Sequence, residues 1–147
     1  MSETITAKQK FKELRQKYKE YADGAYYFTY EALDYTSKNL VRRAEHATAN
    51  ELLEGCRLYS IEQFGCLAKT ILNNMGIRKT EDIGDIVFHL IEFELMGKQE
   101  KDKREEFDSV YDFNVAFDLR PIISYNSDRK EWKVQYVQKT RKNSINN

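Results

Sequence analysis

Residues 48–84 read TANELLEGCRLYSIEQFGCLAKTILNNMGIRKTEDIG, and the order of signals in them decides the fold. Thr48-Ala49-Asn50-Glu51 fits a capping box, in which the Thr hydroxyl accepts from the amide three residues on and the Glu side chain reaches back to the Thr amide. The spacing therefore predicts a helix from Ala49. Leu52, Leu53, Cys56, Leu58 or Tyr59, Ile61 and Phe64 give that helix a broad apolar stripe, with Gly65 as its stop. Leu67, Ala68, Ile71, Leu72 and Met75 predict a shorter helix ending at Gly76. Thr80 is the next N-cap candidate, followed by Glu81 and Asp82 in the first turn, where the helix dipole favours negative charge. Ile83, Ile86, Val87, Leu90 and Ile91 carry this helix on one face to about Met96, before Gly97. The glycines of the block read as helix stops, and it contains no recognisable catalytic constellation.

Upstream, residues 4–21 place Phe11, Leu14, Tyr18 and Tyr21 at helical spacing among Lys and Glu, an amphipathic helix with one narrow apolar stripe. Asp23-Gly24 ends it. A second pattern from Ala25 to Leu40 carries Tyr26, Phe28, Tyr30, Leu33 and Tyr35. Such aromatic density suggests a helix covered on more than one face, with base stacking as the alternative use of the rings. Downstream, Lys98 to Glu106, KQEKDKREE, reads as a solvated linker. The character then changes to strand. Pro121 to Tyr125, a polar turn from Asn126 to Lys130, and the alternation of Trp132, Val134 and Tyr136 predict a β-hairpin, which must pack against the helices or another chain to be stable. The tail from Lys139 is polar and expected to fray.

The chain has 147 residues, enough for one domain with a substantial core, and its 24 Lys and Arg balance its 24 Asp and Glu. Zero net charge removes any global pull toward nucleic acid or anionic membrane, so such a partner needs a local patch. Cys56 and Cys66 have no second pair and no adjacent His to complete a zinc set, and are expected to be buried reduced thiols. No run approaches the roughly 18 apolar residues of a membrane span, and the N-terminus lacks a signal-peptide core, so a cytoplasmic protein is expected. The fold class expected is mainly α (α+β): about five helices in a winged-helix-like order with a C-terminal hairpin. The organisation is one domain over 1–147, comprising an N-terminal helix (1–23), a core (24–117), the hairpin (118–138) and a tail (139–147). The core is expected to use Phe28, Leu33, Leu52, Leu53, Phe64, Leu67, Ile71, Leu72, Ile83, Val87, Leu90 and Ile91.

Glu51-Leu52-Leu53-Glu54-Gly55, Glu62-Gln63-Phe64-Gly65, Leu67-Ala68-Lys69-Thr70, Gly76-Ile77-Arg78, Thr80-Glu81-Asp82, Gly84 and Ile86-Val87-Phe88 together resemble the core of an uncharacterised bacterial family of conserved hypothetical proteins from planctomycetes and verrucomicrobia. His46 also matches. Upstream, Ala25-Tyr26, Phe28 and Glu31 to Thr36 look like that family's aromatic helix; downstream, Tyr111-Asp112-Phe113 look like its ending. The likeness spans about residues 24–117. It departs at Cys66, Met75 and Glu94, where the family tends to have Pro, Trp and Gly. The resemblance implies no reaction.

Candidate sites are few. His46, beside Glu45 and within reach of Glu51, is the residue that would serve a hydrolytic or transfer reaction as general base, against the plainer reading of a loop residue bonded to a helix end. His89 is expected to partner a neighbouring carboxylate. Glu51, Glu54, Glu62, Glu81, Asp82 and Asp85 read as caps, dipole partners and surface charge; no metal site and no cofactor is expected. In a winged-helix reading the segment from Thr80 to Met96 would face DNA, but its acidic first turn opposes phosphate. The basic-aromatic patch lies instead on the hairpin and tail: Arg129, Lys130, Trp132 and Lys133, with Tyr125, Tyr136, Lys139, Arg141 and Lys142. The leading expectation is a non-enzymatic protein-interaction or scaffolding module, with self-association through the N-terminal amphipathic helix, motivated by its narrow stripe and by a hairpin that needs an edge partner. The alternative is nucleic-acid or ribosome binding through Arg129, Lys130, Trp132 and Lys133. No membrane partner is expected.

Overall fold

The computed structural model describes residues 5–41, 47–97 and 103–139. Helices α1 (Ala7–Lys17), α2 (Asp23–Asn39), α3 (Ala49–Phe64), α4 (Ala68–Asn74) and α5 (Thr80–Glu92) are followed by a single-turn α6 (Phe113–Ala116). Strands β1 (Leu119–Asn126) and β2 (Glu131–Gln138) form one antiparallel hairpin. The architecture is thus mainly helical with a C-terminal hairpin, as the sequence predicts.

The capping box forms as read. Thr48 Oγ1 accepts from the Glu51 amide at 3.2 Å, and Glu51 Oε1 accepts from the Thr48 amide at 2.9 Å. Gly65 (φ 57°) and Gly76 (φ 94°) end their helices in a backbone region that side-chain-bearing residues avoid. Gly55 and Gly84 are not stops, however. Gly55 lies inside α3 where a Cβ would overlap the Thr36 hydroxyl of α2, and Gly84 lies inside α5 where a Cβ would come 2.7 Å from Cβ of Phe107. Both are small because another segment must pass close.

α2 and α3 form the centre, with Tyr26, Ala32, Leu53 and Cys56 all but fully buried. α1 closes over them with Leu14 fully buried. The Phe11 ring meets Tyr26 edge-on at 5.8 Å, and Tyr18 stacks on His89 of α5 at 3.6 Å. The narrow stripe of the first helix thus packs within this chain, Leu14 fully buried and Phe11 and Tyr18 in part. That helix also ends earlier than its spacing suggests, at Lys17 rather than about residue 21. Tyr18 turns extended, with its carbonyl accepting from Arg15 at 3.0 Å, and the chain crosses to α4, where the Ala22 amide donates to the Met75 carbonyl at 3.1 Å.

Of the expected core, Phe28, Leu52, Leu53, Leu72, Ile83, Val87 and Leu90 are buried, and Leu33, Phe64, Ile71 and Ile91 half-buried. Leu67 is the exception. It sits in a 3-10 turn, Gly65–Leu67, that rotates it out of the helical register, and it is 61% exposed. Cys66 in the same turn is exposed too, so only Cys56 is a buried thiol. Burial pushes that thiol up to about 12.

Thr80 is not a cap; the helix begins on it. Its buried hydroxyl donates to the Phe107 carbonyl at 2.6 Å and accepts from the Val110 amide at 3.2 Å. Asp82 performs the capping instead, accepting from the amides of Arg78 and Lys79 at 2.8 and 3.2 Å. The described end of the charged run is likewise not a free linker. Arg104 donates to Asp85 at 2.8 Å, to the Glu81 carbonyl at 2.7 Å and to Asp108 at 3.1 Å, fastening residues 103–110 along the first half of α5.

Candidate functional site

The hairpin is where the chain departs most from an ordinary globular surface. Asn126 accepts from the amides of Asp128 and Arg129 at 3.0 and 3.1 Å, which closes the tip, and Lys130 takes the positive φ (55°) that the turn needs. At the root, the Gln138 side-chain amide donates to the carbonyls of Val115 and Ala116, the Lys139 amide donates to the Asp118 carbonyl at 2.8 Å, and the Tyr136 ring lies on Gly65. A Cβ at Gly65 would come 2.7 Å from that ring, so the missing side chain is what seats the hairpin. Beyond this root both strands run out from the helices, exposed along nearly their whole length.

The register sorts the side chains. Directly opposed residues share a face, and successive residues alternate. Leu119, Pro121, Ile123 and Tyr125 lie opposite Gln138, Tyr136, Val134 and Trp132, and this face carries seven apolar or aromatic side chains and no charge. The other face carries Arg120, Ser124, Asn126, Glu131, Lys133 and Gln135, with Ile122 and Val137 between them. A strand pair patterned this way ordinarily buries its apolar face. Here the distal half of that face is uncovered: Ile123 is 61% and Trp132 72% exposed, with Tyr125 and Val134 about half exposed. The Tyr125 and Trp132 rings lie tilted against each other at 58°, centroids 4.9 Å apart. The turn bearing exposed Leu67 also contacts β1.

The expected basic-aromatic patch is divided by this register. Trp132 lies on the apolar face, Lys133 on the opposite one, and Arg129 and Lys130 in the tip. Arg141 and Lys142 lie outside the described residues. The sequence reading named Trp132, Tyr125 and Tyr136 but missed that Pro121 and Ile123 share their face. The signal was present, since 121, 123 and 125 have one parity and 132, 134 and 136 pair with them once the turn length is known.

The remaining candidates resolve differently. His46 lies outside the described residues. Glu51 is engaged in the capping box, and the cavity beside Thr48, of about 70 Å³, is lined mostly by apolar side chains such as Leu33, Leu52, Val87 and Ile91. His89 partners tyrosines rather than a carboxylate: Nδ1 lies 2.9 Å from the Tyr26 hydroxyl while its ring stacks on Tyr18. Burial holds His89 below its ordinary 6.5, against the opposing pull of Glu20, Asp85 and Glu92. The Tyr21 hydroxyl shares its proton between Asp82 (2.9 Å) and Asp85 (3.0 Å); burial and these carboxylates raise it well above the usual phenol. Glu54 pairs with Arg57 at 3.0 Å. Among the described residues, no three His, Cys, Asp or Glu side chains converge to hold a metal ion. A second concavity, about 380 Å³, opens between α1 and α2, lined by Phe11, Tyr26, Tyr27, Tyr30, Leu90 and Leu95, with Lys8 and Glu31 the charged residues on its lining. No helix among the described residues is long and apolar enough to cross a membrane.

The chain matches no protein-family model, no curated protein and no solved structure.

Proposed function

We propose that this chain is a protein-interaction module whose binding surface is the apolar face of the C-terminal hairpin. The observation that carries the reading is the pairing register, which gathers seven apolar side chains on one face and leaves Ile123 and Trp132 largely in water. Exposing such a face is costly, at roughly 25 cal/mol per Å² of apolar surface, and contiguous patches of this kind mark contact surfaces. The division of charge from aromatic rings supports protein over single-stranded nucleic acid. A base-stacking groove combines rings and cations along one track, whereas Trp132 and Lys133 point to opposite sides of the ribbon. The amino end of α5, which a winged-helix reading would offer to DNA, is occupied by Arg104 and Phe107 of the chain itself.

The test uses two neighbouring positions that face opposite ways. A photo-crosslinking amino acid is placed at Ile123 or at Ser124 in the full chain, both exposed, and irradiated in the cell of origin. Protein adducts from position 123 and few from 124 are expected. Equal labelling from the two positions, or none from 123, contradicts the reading. Adducts of 123 with nucleic acid would replace it by the oligonucleotide alternative through Arg129, Lys130, Trp132 and Lys133.

A further inference from the structure

We draw no further inference here: the strongest candidate, the concavity of about 380 Å³ between α1 and α2 walled by Phe11, Tyr27 and Tyr30, carries nothing, because its lining pairs one cation, Lys8, with one anion, Glu31, and nothing in the structure shows what covers it.

Discussion

Gly55 shows how a single residue sets the distance between the two central helices. Thr36, fully buried, donates its hydroxyl to the Ala32 carbonyl at 2.7 Å, and α3 lies against that hydroxyl only because Gly55 has no side chain. Gly55→Ala is expected to destabilise the fold by about 1–3 kcal/mol despite the better helix propensity of alanine, because an overpacked contact forces backbone movement. Combining it with Thr36→Ala should restore part of the loss, and urea titration of the double-mutant cycle measures the coupling. His89 makes a pH prediction at the same scale. The ring faces Tyr18, Tyr21 and Tyr26, with Lys17, Glu20, Asp85 and Glu92 around it. Its depressed folded value means the unfolded chain binds more protons just below 6.5. Its contribution is therefore fully present above that pH and is lost as pH falls toward the folded value. The urea midpoint should drop between pH 7.5 and 5.5, and His89→Gln should flatten that slope. A thiol titration checks the burial assignment: Cys66 is expected to react fast in the native protein, and Cys56 only after urea is added.

Elements legible in the sequence were those whose signals are local. Thr48-Ala49-Asn50-Glu51 states its own hydrogen bonds, and the 3.6-residue spacing of Ile83, Ile86, Val87 and Leu90 states which side of α5 is buried. What was not legible depends on contacts between distant segments. Thr80 looks like a cap because Thr at a helix start usually is one, yet its hydroxyl is taken by Phe107 and Val110, about thirty residues away. Arg104 sits in a run so charged that it reads as solvated, yet it holds three acceptors on and beside α5. Leu67 matches the apolar spacing of α4 but falls in the 3-10 turn before it, where that spacing no longer applies. Arg104→Met removes the donors while keeping the aliphatic stem. It is expected to cost about 1–3 kcal/mol from the acceptors left behind, and to raise hydrogen exchange at Val110 and in the first turn of α5 before elsewhere.

Across the whole molecule, the helices and the hairpin solve different problems. α1 to α5 bury their stripes against one another, and the first helix spends its own stripe on Tyr26 and His89. The hairpin does not bury its own. The sequence leads one to expect it to pack against the helices or another chain; among the described residues the helical part meets it at Gly65 and at the Val115 and Ala116 carbonyls. The candidate surface was half legible: Trp132 and Tyr125 were visible as exposed aromatics, whereas the segregation of Lys133 from Trp132 required the register. Trp132 is the chain's single tryptophan and is 72% exposed, so its emission reports this face without labelling. In dilute solution it should emit as a solvated indole open to quenching by acrylamide. Titrated with the protein that position 123 captures, emission should shift to the blue and quenching should fall in the wild type and in Ser124→Lys, but not in Ile123→Lys. An emission that keeps its dilute position and its quenching at every concentration of that protein would contradict the claim that this face is where the chain meets its partner.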